Sequence, residues 1–155
     1  MKNFYKKGFT LIEVLIVIAI VGLLIAIVLP KFSKIRENQV FKGAILDTIS
    51  SINKAKGETL SSISSSEYGV HFQSDKVIIF KGKVFSSGAS DNETIIITSP
   101  ASITNVTLGG VSGTSGAIYF NRLTGAPSAT GTITIATSNY SKIVTISATG
   151  SASSN

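Results

Sequence analysis

The chain of 155 residues has no cysteine and a single histidine. Without cysteine there is no disulfide, no thiolate metal site, no lipid-modified cysteine and no cysteine nucleophile. Any folded part must therefore rest on its sheet and its core. His71 is the lone histidine, and neither cysteines nor a cluster of acids surround it. It reads as a strand residue rather than a metal ligand, and it offers no partner for a catalytic triad. The serines are numerous, but none stands in a G-x-S-x-G setting, and no phosphate-cradling loop is present. No catalytic, cofactor-binding or metal-binding residue is nominated, and the chain does not read as an enzyme.

Charge is also scarce where the total suggests plenty. The formal net charge is +6, yet three of the lysines (Lys2, Lys6, Lys7) sit in the first eight residues. Beyond Lys56 the five basic residues Lys76, Lys81, Lys83, Arg122 and Lys142 face five acids, Glu58, Glu67, Asp75, Asp91 and Glu93. The C-terminal part is neutral, which argues against a nucleic-acid surface built on bulk charge. No Lys, Arg or His lies between Phe9 and Leu29.

That stretch holds the most informative feature present. Phe9–Leu29 is a membrane-length apolar run, and it contains one glutamate, Glu13. A helix of roughly 20 apolar residues spans a bilayer, and a lone acid near its centre costs roughly 2.5–3.5 kcal/mol on insertion scales. With no cation in the same run, Glu13 points to a positive group on another molecule. Basic residues flank the run at Lys2, Lys6 and Lys7 before it and at Lys31, Lys34 and Arg36 after it, as in segments that set orientation or meet anionic headgroups. A secretory signal has a shorter apolar region and a small-residue cleavage site. This run ends Val28-Leu29-Pro30, which leaves an uncleaved anchor or a cut on the basic side, before the apolar residues.

The chain from Phe9 to Lys56 reads as one long helix. Gly22 and Pro30 are its weak points, and Pro30 is expected to kink or break it because it removes a backbone donor. After Pro30, the apolar residues Phe32, Ile35, Phe41, Ala44, Ile45, Ile49 and Ile52 recur at helical spacing opposite Lys34, Glu37, Lys42, Asp47 and Lys54, so this half is amphipathic. Gly57 is the expected stop, and residues 58–67 read as a loop or a frayed continuation of the helix. Short β-branched and aromatic runs follow at Tyr68–Phe72, Lys76–Phe80, Thr94–Thr98, Ile103–Leu108, Ala117–Asn121, Gly131–Thr137 and Lys142–Ala148. Turn residues separate them, and the last two are expected to form a hairpin through Ser138–Ser141. The tail Gly150–Asn155 is expected to fray. The fold class is α+β: a helix with a hydrophobic and an amphipathic half, packed on a C-terminal antiparallel sheet domain. The expected divisions are residues 1–8, 9–56 and 57–155.

The segment Lys6-Lys7-Gly8-Phe9-Thr10-Leu11-Ile12-Glu13-Val14-Leu15-Ile16-Val17-Ile18-Ala19-Ile20 resembles the N-terminus of type IV prepilins. The resemblance implies the pilin fold, with residues 1–8 a leader cut off by a prepilin peptidase between Gly8 and Phe9. It also implies N-methylation of the new N-terminal residue, Phe9. Glu13 would pair with the α-amino group of a neighbouring subunit, and the stretch bracketed by Gly22 and Pro30 would lose helical order in a filament. The subunit would sit as a single-pass protein in the inner, or cytoplasmic, membrane before assembly. It would then enter a periplasmic pseudopilus or an extracellular pilus, assisted by an assembly platform protein and an ATPase.

In the second half, Tyr68-Gly69-Val70-His71-Phe72, Val77–Phe80, Ile118-Tyr119-Phe120-Asn121-Arg122, Gly125, Gly131–Ile135 and Ile143–Gly150 resemble the H-type minor pseudopilins of type II secretion and related minor pilins. The Ser/Gly-rich loops expected around 86–92 and 109–116 depart from that pattern. The function implied is a minor, H-type structural subunit. The alternatives are a major pilin, a pilus-mounted adhesin or DNA-binding minor pilin, and a singly anchored protein that never polymerises.

Three further features carry less. Asp91-Asn92-Glu93 has oxygen donors but not the spacing of a calcium loop. Asn92, Asn105 and Asn139 open N-x-S/T triplets, which a Ser/Thr-rich chain produces by chance. Lys76, Lys81, Lys83 and Arg122 are the residues that would form a DNA patch, but without interleaved aromatics.

Overall fold

The computed structural model describes residues 8–155, leaving aside the side chains of Leu29 and Pro30. One helix, α1 (Leu11–Leu60), precedes nine strands: β1 (Tyr68–Phe72), β2 (Lys76–Lys81), β3 (Glu93–Ile96), β4 (Ser102–Leu108), β5 (Val111–Gly113), β6 (Gly116–Tyr119), β7 (Gly131–Ala136), β8 (Ser141–Ile146) and β9 (Ala152–Ser154). All pairings are antiparallel, so the arrangement is α+β and pilin-like. The chain divides into two units, residues 1–36 and 37–155, and α1 contributes to both.

In the first unit, α1 begins after Thr10, whose hydroxyl accepts the Glu13 N–H at 3.3 Å while its carbonyl accepts that of Val14 at 3.3 Å. Thr10-Leu11-Ile12-Glu13 is a capping-box pattern, in which a hydroxyl satisfies a helix-start donor that has no partner within the helix. That cap explains why the helix starts at Leu11 rather than at Phe9. From there the helix is apolar on every side and exposed on every side. An 18-residue window has a mean hydropathy of 3.3, and none of it is buried. A helix with no polar face belongs in lipid or inside a larger assembly. α1 runs through Gly22 and Pro30 as a single helical element.

In the second unit, the same helix buries one face. Phe41, Ala44, Ile45, Ile52 and Ala55 enter the core, together with the polar Thr48, Ser51 and Thr59. Spacings of three and four residues put these on one side. Each buried hydroxyl donates to the carbonyl four residues back, at 2.8, 2.7 and 2.8 Å respectively, so none of these three hydroxyls is stranded. The small residues Ala44, Thr48, Ser51, Ala55 and Thr59 leave room for the strands to approach.

Those strands form a four-stranded sheet in the order β3-β2-β1-β6 and a five-stranded sheet in the order β5-β4-β7-β8-β9. The sequence reading anticipated one sheet domain; it did not anticipate this division. Alternating residues from both sheets, including Val70, Phe72, Val77, Ile79, Ile103, Val106, Ile118, Phe120, Ile133, Ile135, Val144 and Ile146, join the helix in one cluster. Phe72 and Phe120 are fully enclosed, and truncating either would cost about 3–5 kcal/mol. Glycine is required at two close approaches. A Cβ on Gly131 would meet the Thr107 carbonyl oxygen, and one on Gly69 would lie 2.5 Å from that of Ile118.

Three expectations need correction. The helix does not stop at Gly57 but continues to Leu60, and a short 3-10 turn at Ile63–Ser65 occupies part of the expected loop. Thr59 explains the extension: its hydroxyl donates to Ala55 and accepts the Tyr68 N–H at 2.9 Å, tying the last helical turn to β1. The tail does not fray entirely. β9 pairs with β8 in the register Val144↔Ser154, Thr145↔Ser153 and Ile146↔Ala152. The stretch around 109–116 likewise contains β5, paired with β4.

Candidate functional site

The residues singled out from the apolar run gather at the start of α1. Gly8 and Phe9 lie outside the helix and are exposed, so the bond between them is free of the helical hydrogen-bond ladder. A Cβ on Gly8 would meet nothing within 4 Å; the chain there is bare. Glu13 occupies the first turn of the helix, is exposed, and makes no ion pair among the described residues. Gly8, Phe9, Thr10 and Glu13 line one shallow cleft, and Phe9, Glu13, Val14, Val17 and Ile18 line a second. The acid and the Gly8–Phe9 bond therefore share a surface. Of the residues expected to form the leader, Lys2, Lys6 and Lys7 lie outside the described residues.

Chemically, this arrangement offers an accessible peptide bond preceded by a glycine, beside a carboxylate at the positive end of a helix dipole, where negative charge is favoured. Among the described residues, no group of three His, Asp or Glu side chains could hold a metal ion.

The other candidates separate in space. Lys76 and Lys81 stand at the two ends of β2, an odd number of residues apart, so their side chains leave opposite faces of the strand. Lys83 is drawn to Glu67 at 3.7 Å and sits 5.8 Å above the Tyr119 ring. Of the residues named for a DNA patch, Lys76 and Lys81 thus face apart and Lys83 has an acid beside it. Glu93 belongs to Lys54, at 2.6 Å, and that hydrogen bond and its charge raise the lysine's pKa. Asn92 donates to the Ser86 carbonyl at 2.7 Å, so Asp91-Asn92-Glu93 is not arranged as a cation loop.

His71, on β1, stacks on Phe85 with ring centroids 4.0 Å apart and lies 3.1 Å from Gln73 Nε2. Among the described residues its Nδ1 is buried without a partner, and burial lowers its pKa. Of the N-x-S/T asparagines, Asn139 is held by Glu37 through two hydrogen bonds, at 2.7 and 3.1 Å. Asn105 donates to Thr107, the hydroxyl of its own triplet, at 3.3 Å.

Sequence reasoning missed Thr10 as the helix cap, although the T-x-x-E spacing was there to be read. It also missed the Glu37–Asn139 clamp, which joins residues 102 apart in sequence; no local signal reports such a pair.

Residues 3–29 match the family model for the prokaryotic N-terminal methylation motif. The match covers Lys6, Lys7 and the apolar run and ends before the amphipathic half of α1. No solved structure matches the chain.

Proposed function

We propose, taking that motif as the premise, that the chain is the precursor of a type IV pilin or pseudopilin subunit. Its leader would be cut between Gly8 and Phe9, Phe9 would be methylated, and the mature subunit would assemble through its helix. One observation carries the reading: the methylation motif ends in a helix exposed and apolar on every side, with a single acid beside the bond to be cut. An exposed helix of this kind needs lipid first and other helices later.

Cleavage would create an α-ammonium on Phe9 in the same cleft as Glu13. While the subunit waits in the membrane, that amine and its own Glu13 lie close in sequence. In a filament, the amine of an adjoining subunit takes the carboxylate instead, in surroundings of low dielectric where an unpaired charge is expensive. Pro30 has no amide proton to give to the helix, so the stretch from Gly22 to Pro30 is where helical order yields when subunits pack. The finer assignment is to a minor, H-type subunit. It rests on the resemblance of the sequence pattern from Tyr68 to Gly150 alone.

Intact-mass measurement of the mature protein tests the processing: loss of residues 1–8 with one added methyl group is expected, and a full-length chain refutes it. The abundance of the subunit in sheared filaments tests the finer assignment. A trace component fits a minor subunit, and the dominant component fits a major one.

A further inference from the structure

Immediately beyond the apolar run, Lys31, Phe32, Lys34, Ile35 and Arg36 are all exposed. None of the three cations there has a hydrogen bond or ion pair among the described residues, and the next acid, Glu37, is turned to Asn139. Phe32 and Ile35, 65% and 56% exposed, are three residues apart and so share one side of the helix, with Lys31 and Arg36 bordering it. At 1.5 Å per residue, Lys31 stands about 30 Å along α1 from Leu11, and Arg36 about 38 Å. A bilayer's hydrocarbon core is about 30 Å thick, with the headgroup layer just beyond it. The run of three cations therefore falls at headgroup depth, with an aromatic and an aliphatic side chain among them, the composition of an interfacial membrane segment.

We infer that Lys31, Lys34 and Arg36 form a collar that binds anionic phospholipid headgroups in the leaflet farther from the leader, with Phe32 and Ile35 inserted at its edge. The inference rests on the reading of Phe9–Leu29 as a membrane span. Two observations select lipid as the occupant: the charge is of one sign, and the collar continues directly from the segment that spans. The lipid phosphates would hold the subunit at a defined depth until it leaves the membrane, and leaving would mean breaking these contacts.

The chain contains no tryptophan, so Phe32→Trp in the full chain gives a single reporter within the collar. Reconstituted in phosphatidylcholine vesicles containing a minor share of phosphatidylglycerol, the introduced indole should transfer energy to dansyl-phosphatidylglycerol about twice as efficiently as to dansyl-phosphatidylcholine at low salt. Parity is expected after adding Lys31→Gln, Lys34→Gln and Arg36→Gln, and also in molar salt, which shortens the screening length to about 3 Å. In native mass spectrometry, the chain without the reporter should retain phosphatidylglycerol in preference to phosphatidylcholine, and the triple variant should not.

Parity with the collar intact, in a chain that resists alkaline extraction, overturns the inference while leaving the span standing. Extraction by alkali overturns the span and the collar with it.

Discussion

Residues 11–28 and residues 41–59 belong to the same helix, and backbone hydrogen bonding is common to both. They differ in what their side chains meet. In the first stretch Leu11, Leu15, Ile18 and Leu24 stand exposed on every side. In the second, Phe41, Ile45, Ile52 and Ala55 vanish into a core shared with two sheets, and even Thr48 and Thr59 are fully buried. A segment with one apolar stripe finds its partner within its own chain. A segment apolar all round must find its partner in lipid or in other molecules.

The comparison can be broken most forcefully at the core. Phe72→Ala should destabilise residues 37–155 by about 3–5 kcal/mol, read by urea unfolding. Leu15→Ala in the full chain should leave that transition where it is and weaken membrane retention instead. If the Leu15 change destabilises the second unit, the division between the two stretches is wrong. Next in size is Glu13→Val: incorporation into filaments should fall by a factor of tens, consistent with about 2–3 kcal/mol of charge pairing. Membrane insertion and leader removal should persist, and normal incorporation would remove the pairing role.

Thr59→Val leaves the Tyr68 N–H without its acceptor and should cost the second unit about 1–2 kcal/mol. Hydrogen exchange should then show fraying confined to the last turn of α1 and the start of β1. Acidification probes the same unit at His71. Burial lowers the folded-state pKa below the ordinary value of 6.5. Any contribution is therefore fully present above about pH 6.5 and declines as the pH falls toward the folded value. Thermal midpoints of residues 37–155 should drop between pH 7 and pH 5 by more in the parent than in His71→Gln; equal slopes would exclude His71 as the source. The smallest effect belongs to Lys54→Met. Its bond to Glu93 joins side chains 45% and 50% exposed, and such pairs contribute at most about 1 kcal/mol, so the midpoint should barely move.

The elements whose signal is local were readable in advance. Tyr68–Phe72 carries its own alternation, and β1 has those bounds. The β7–β8 hairpin follows from two β-branched runs with a short polar turn between them. The features that escaped depend on distant partners. Val111–Gly113 and Ala152–Ser154 are too small and polar to announce themselves, and they are strands because β4 and β8 offer them a free edge. The helix outlasts Gly57 because Thr59 is met by Tyr68. Gly8, Phe9 and Glu13 are of another kind: they stand in a contiguous frame of residues, which also carries the match to the methylation motif.

The primary structure by itself determined the apolar run, its single acid, the basic flanks and the glycine ahead of phenylalanine. Each is a property of neighbours along the chain and needs no fold to exist. Only the tertiary structure decided that nine strands among the described residues divide into two sheets, that Glu37 grips Asn139, and that Lys83 is drawn to Glu67. These depend on which distant residues are brought face to face, and that is set by the collective burial of one core rather than by any single stretch of sequence.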